Sequence, residues 1–159
     1  MCSTQKILRT FLLMTCFFIH MSFTDFVDET KIKAALLFKF PLFVNWPENT
    51  FTHDNTFYIS LLGNCPVINA VYTIKKKMIK GKPVIFNHYE KIEDISHCHI
   101  LFVCPTSLEK LSIINQKFKN KPVLLVGNQK SFAEQCGIIN FKVVGKIPQY
   151  NDKKFIFFE

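Results

Sequence analysis

Short apolar runs separated by segments with helical spacing are the feature that most limits the fold of this chain. Four such runs stand between residues 57 and 126: Phe57–Leu62, Lys82–Phe86, His99–Val103 and Val123–Val126. Continuous apolar runs of this length are typical of strands that are buried on both faces of a parallel sheet. The chain of 159 residues has room for one domain built around such a sheet.

The segments around these runs have apolar residues at helical intervals. Glu29 to Val44 is predicted to be a helix that is kinked at Pro41, since proline lacks the amide that a helix interior needs. Pro66 to Lys80 is predicted to be a second helix, with Gly81 as its C-terminal cap. Thr106–Glu109 and Ser131–Glu134 have the capping-box pattern that starts a helix.

The final segments favour two antiparallel strands, which are predicted at Ile138–Val144 and Lys154–Phe158. Alternating strands and helices indicate the α/β class. The expected architecture is a three-layer α/β/α domain with a mostly parallel central sheet and an antiparallel terminal hairpin.

The N-terminus has the order of a secretory signal. Lys6 and Arg9 precede the uninterrupted apolar run Phe11–Ile19, and the acidic residues begin at Asp25. We therefore expect residues 1–24 to be a signal peptide and residues 25–159 to be the exported domain. An uncleaved anchor, a lipoprotein processed at Cys16 and a buried helix of the fold are the alternatives.

Removal of the leader would leave Cys65, Cys98, Cys104 and Cys136, an even number in a compartment where disulfides persist. Four cysteines allow three sets of pairs, and the residues alone leave all three open. The run His97–Cys98–His99 resembles a metal site, but in a strand the two histidines face one side and the cysteine the other. No metal site is expected.

The catalytic and cofactor motifs that are recognisable from sequence are missing. The chain has no glycine-rich phosphate loop, no G-x-S-x-G and no H-E-x-x-H, so neither an enzyme nor a cofactor is predicted. Open α/β sheets bind ligands beyond the carboxyl ends of their strands. The candidate ligand or partner residues there are Gly63, Asn64, Thr106, Gly127 and Asn128.

The chain is basic, with a formal net charge of +8, which suits an anionic partner or a membrane surface. It lacks the interleaved aromatic and basic residues of single-strand nucleic-acid platforms. No nucleic-acid partner is expected.

Four segments, in order, resemble the YfiR-like family of periplasmic proteins. They are Lys31–Phe40 followed by Phe43–Pro47, then Ile59–Gly63, then His97–Val103, and last Val123–Val126 through Phe132 to Gly137–Phe141. The aromatic residues of the first segment, which runs into Trp-Pro, are Phe40, Phe43 and Trp46, and Pro47 follows them.

The resemblance implies regulation by binding. YfiR-like proteins repress an inner-membrane diguanylate cyclase through its periplasmic sensor region, and an outer-membrane lipoprotein can sequester the repressor. The expected function is therefore a periplasmic regulatory binding protein in cyclic-di-GMP signalling. The alternative is a small-ligand-binding module of the same fold without a cyclase partner.

The resemblance also implies disulfides that brace the fold. Cys98 matches the family cysteine that opens the third segment, with Cys65 as its expected partner and Cys104 paired with Cys136. Family members continue into a further helical segment after the last strand, whereas this sequence stops at Glu159. An apolar strand left uncovered near Phe155–Phe158 would favour a homodimer.

Overall fold

The apolar runs form the strands of one sheet. The computed structural model describes residues 28–51, 54–74, 78–107, 110–136, 138–144 and 147–152, so the predicted signal peptide and the predicted strand Lys154–Phe158 lie outside it. The strands within these ranges are β1 (Phe57–Leu62), β2 (Met78–Ile79), β3 (Lys82–Tyr89), β4 (Ile100–Val103), β5 (Leu124–Gly127), β6 (Ile139–Val144) and β7 (Ile147–Asp152).

The order of the described strands is β2-β3-β1-β4-β5-β6-β7. The pairs β1/β3, β1/β4, β4/β5 and β5/β6 are parallel, and the outermost pairs β2/β3 and β6/β7 are antiparallel. The predicted α/β class with a mostly parallel sheet and an antiparallel terminal pair is therefore confirmed. The predicted hairpin partner Lys154–Phe158 is wrong, because β6 pairs with Ile147–Asp152, and only two residues separate these strands.

Helices cover both faces of the sheet and give the three predicted layers. They are α1 (Glu29–Lys39), α2 (Val67–Tyr72), α3 (Leu111–Phe118) and α4 (Phe132–Gln135). Three-residue to four-residue 3₁₀ turns lie at Phe40–Leu42, Glu48–Phe51 and Ile92–Asp94.

Alternate strand residues divide the interior into two cores, because successive strand side chains point to opposite faces. In the first core, Phe57, Ile59 and Leu61 of β1 pack with α1 and α2. In the second core, β4 and β5 pack with α3 and α4 through Leu101 and Leu125. Both faces of the central strands are thus buried, as their continuous apolar sequences require.

Helix α1 begins and ends for local reasons. Its N-cap Asp28 accepts a hydrogen bond from the Thr30 amide at 3.0 Å, which satisfies one of the free amides of the first turn. The α-helix ends at Lys39, and the chain continues as the 3₁₀ turn that contains Pro41. The predicted interruption at Pro41 is confirmed.

The prediction of a helix at Pro66–Lys80 is wrong for the second half of this segment. Helix α2 ends at Tyr72, and Met78–Ile79 forms β2, antiparallel to β3. Lys80 and Gly81 connect these strands with φ angles of 49° and 76°. Two successive left-handed residues suit the tight turn of a hairpin, so Gly81 is a turn residue and not a helix cap.

The predicted capping boxes do not act as caps. Helix α3 begins at Leu111 after Lys110, and α4 begins after Ser131, in both cases without a side-chain capping bond. The Thr106 hydroxyl instead donates to the Asn64 carbonyl oxygen. Among the described residues no helix has the length and hydropathy to cross a bilayer.

Candidate functional site

The carboxyl ends of β1 and β4 lie side by side at the centre of the sheet. The chain leaves β1 towards β3 on one side, whereas β4 lies on the other side, so the connections diverge at this point. Open α/β sheets form their ligand crevice at such a position. The predicted loop residues Gly63, Asn64 and Thr106 do meet here, since Leu62 and Val103 are register partners.

This crevice is closed by the protein itself. A disulfide joins Cys65 to Cys104, with their Cα atoms 5.8 Å apart. Gly63 has a φ of 81°, and a Cβ atom at this residue would lie 2.9 Å from the Cα of Ser107. Glycine is therefore required both by the left-handed backbone and by the approach of the second loop. We call this joined pair of loops, residues 63–65 and 104–107, the stapled loops.

The disulfide corrects the predicted pairs Cys65–Cys98 and Cys104–Cys136. Cys98 stands two residues before β4, at the amino end of the sheet, whereas Cys65 follows the carboxyl end of β1. Parallel strands bring residues that follow them to the same end, which places Cys104 beside Cys65. Each of these cysteines comes within three residues of the end of an apolar run, so the sequence places both at strand ends but does not show that the two strands are neighbours.

Cys98 and Cys136 are free thiols. Burial raises the pKa of the Cys98 thiol to about 12 and that of the Cys136 thiol to about 11. The thiolate is the reactive form of cysteine. Both thiols are therefore protonated at neutral pH and are poor nucleophiles.

Gly127 lies at the next strand end, where the sequence predicts a ligand loop, but it is buried. A Cβ atom at Gly127 would lie 2.3 Å from the ring of Phe132, which is itself fully buried. The space above this glycine is thus filled by Phe132. Asn128, one residue further, borders a cleft of about 450 Å³ that also contacts Asn140.

Replacing Gly127 by alanine is expected to destabilise the fold by about 1–3 kcal/mol, the usual cost of overpacking a core. Urea unfolding of Gly127→Ala measures the loss. The smaller side chain of Phe132→Leu in the same molecule should recover part of it. A Gly127→Ala protein as stable as the wild type would contradict the close approach.

The aromatic residues of the first family segment divide into buried and exposed members. Phe40 is buried and stacks on Phe141, with ring centroids 5.8 Å apart. The half-buried Trp46 donates from Nε1 to the Pro41 carbonyl oxygen at 3.2 Å and meets Phe57 edge-on at 5.7 Å. Phe43, by contrast, is 79% exposed. Trp46 therefore anchors the turn that presents Phe43.

A family model described as YfiR/HmsC-like matches residues 30–149 of the chain. The chain belongs to the YfiR/HmsC-like family. The match covers both stapled loops, the buried Gly127 and the four motif residues Phe40, Phe43, Trp46 and Pro47. A comparison with curated proteins finds no match.

His99 holds the Glu48–Phe51 turn of this YfiR/HmsC-like chain against β1. Its Nδ1 accepts from the Tyr58 amide at 3.0 Å, and its Nε2 lies 3.3 Å from the Thr50 carbonyl oxygen. A neutral ring with its proton on Nε2 satisfies both partners. Burial, and then the nearby His97, lower the pKa of His99 to about 4.

The two histidines of the His97–Cys98–His99 run lie on one side, as the sequence predicts. Their ring centroids are 4.8 Å apart, and Cys98 packs into the second core. In the described part of the chain, no three His, Cys, Asp or Glu side chains are grouped as metal ligands would be.

Asp54 and Tyr58 form an exposed pair next to these rings. The Tyr58 hydroxyl donates to Asp54 Oδ2. This bond lowers the pKa of the Asp54 carboxyl and raises the pKa of the Tyr58 phenol. Sequence reasoning did not single out this pair, because nothing local brings residues 54 and 58 beside the 97–99 segment.

Proposed function

We propose that this YfiR/HmsC-like chain is a periplasmic regulatory binding protein that represses an inner-membrane diguanylate cyclase through its periplasmic sensor region. It thereby controls the level of cyclic-di-GMP. The observation that carries the proposal is the family match over residues 30–149. The N-terminal pattern of a charged segment followed by an apolar run supports export.

The described surface supports binding of a protein partner. Phe43 and Leu42, which are 79% and 40% exposed, follow α1 on the anchored turn. An aromatic side chain held on a rigid support can bind a partner pocket with little loss of conformational entropy. We propose that this pair contacts the sensor region, and that an outer-membrane lipoprotein competes for the repressor.

The closed crevice argues against the alternative of a small-ligand module at Gly63 and Thr106. The disulfide and the close contact between Gly63 and Ser107 fill the crevice in which other open α/β sheets bind a ligand. Regulation by protein contact needs no such opening. We accordingly expect no catalytic activity from this edge of the domain.

Deleting the gene is expected to raise cyclic-di-GMP, since the cyclase would lose its repressor. Complementation with the wild-type chain should restore the low level, and Phe43→Asp should not. The matched control is Ile113→Asp, because Ile113 is also exposed, at 42%, but lies on α3 across the sheet. Extracted cyclic-di-GMP is the measurement.

Exposed substitutions usually change stability by no more than about 0.5 kcal/mol, so both variants should accumulate normally. An unchanged level in the deletion strain would overturn the cyclase claim. Full repression by Phe43→Asp would remove Phe43 from the binding surface and leave the rest of the proposal standing.

A further inference from the structure

A second cavity lies at the amino end of the sheet, opposite the stapled loops. Its volume is about 270 Å³, and it opens between the Glu48–Phe51 turn, residues 95–98 and the end of α3. Pockets for drug-sized ligands measure about 300–1,000 Å³. This cavity is therefore sized for a small molecule or ion.

The charge that lines the cavity is positive. Lys117 and Lys121 are lining residues with a positive charge, and none of its described lining residues is Asp or Glu. The Lys117 ammonium donates to the carbonyl oxygens of Ile92 and Glu93, the second at 3.4 Å, which holds it in place. Lys121 lies over the Phe118 ring at 5.8 Å.

Both ammonium groups act on the thiol of Cys98, which also lines the cavity. Each favours the thiolate, although burial is the larger influence and raises the pKa overall. The Cys98 thiol therefore lies where the electrostatic potential of these two cations is positive.

Ser96 adds a hydroxyl donor to the cavity. This residue lines the cavity and is exposed, so its hydroxyl can donate a hydrogen bond to a ligand oxygen. The hydroxyl of Thr50, another lining residue, is shielded from solvent, so a ligand in the cavity does not reach its Oγ1 atom.

We propose that this cavity binds a small oxyanion, of which inorganic phosphate is the simplest example. Lys117 and Lys121 neutralise the charge, and the hydroxyl of Ser96 donates a hydrogen bond to one of the oxygens. Charge-assisted bonds of this type are the stronger class of hydrogen bond. This proposal does not depend on the proposed function, because it is argued only from the residues that line the cavity. Anion binding can be measured on the isolated protein.

The test is calorimetric and thermal titration of the folded protein with inorganic phosphate, acetate and chloride at constant ionic strength. A saturable response to phosphate, absent with chloride, is expected. Lys121→Ala should weaken binding about tenfold, as the loss of a charged hydrogen bond does. The control Lys119→Ala should bind normally, because Lys119, directly after α3, is exposed and does not line the cavity.

Ser96→Ala tests the contact of the hydroxyl with the ligand. Alanine removes the donor from an exposed position, so the unliganded melting temperature should stay about the same, while phosphate binding falls severalfold. Unchanged phosphate binding by Ser96→Ala would overturn the role of this hydroxyl. Equal responses to all three salts, or in all variants, would overturn the site. Acetate binding with the same dependence on Lys121 would support the site and identify a carboxylate as its ligand.

Discussion

Removing the Cys65–Cys104 disulfide is expected to lower the free energy of unfolding by about 4 kcal/mol. The bond closes a loop over a sequence separation of 39, and a loop of this length loses that much denatured-state entropy on the chain-entropy model. Urea unfolding of the Cys65→Ser/Cys104→Ser double variant, compared with the oxidised wild type, measures the loss. Cys136→Ser is the matched control, since Cys136 is a free thiol.

Non-reducing peptide mapping with alkylation of free thiols checks the connectivity directly. A cross-linked pair of peptides that contain Cys65 and Cys104, with alkylated Cys98 and Cys136, is expected. A Cys65–Cys98 cross-link would contradict the structure. The same digest reads the N-terminus of protein recovered from the cell envelope, where a start near Asp25 would support export.

Acidification is expected to remove about 2–3 kcal/mol of stability between pH 6.5 and pH 4 through His99. The folded pKa of His99, about 4, lies below its ordinary value of 6.5. Between these values the unfolded chain binds a proton that the folded chain does not, so stability falls as the pH falls. Burial of the ring is the main cause of the low pKa, and protonation of Nδ1 would in addition end the hydrogen bond that it accepts from the Tyr58 amide.

The measurement is the free energy of unfolding against pH for three proteins. His99→Gln should lose this fall in the free energy of unfolding between pH 6.5 and pH 4, whatever its absolute stability. His97→Gln should keep most of it, because burial of the His99 ring is the larger cause of its low pKa and remains, while the smaller lowering influence of His97 is lost. Parallel curves for wild type and His99→Gln would show that other groups cause the acid sensitivity.

The parts of the fold that depend on local pattern were predictable from the sequence. Phe57–Leu62 forms β1 with the predicted bounds, and Pro41 ends α1 because its missing amide acts locally. The β2–β3 hairpin was not predictable in this way. Gly81 after Lys80 suits a helix C-terminus as well as a hairpin turn, and only the tertiary position of β3 decides between them.

The candidate site shows the same division. The sequence predicts that Gly63 and Thr106 stand at strand ends, and parallel strands do bring them together. The pairing of Cys65 with Cys104 depends instead on which strands are neighbours, and apolar runs carry no record of that order. The filling of the space at Gly127 by Phe132 and the unpaired hydroxyl of Thr50 likewise arise only in the packed molecule.

The stapled loops have a mechanical consequence. β1 and β4 are the strands at which the two halves of the sheet meet, and a covalent bond crosses their junction. The halves cannot spread apart at this end in the way that hinged binding proteins open and close around a ligand. Under the proposed function, regulation would then depend on which partner is bound at the surface of a rigid domain. It would not need a change in the shape of the domain.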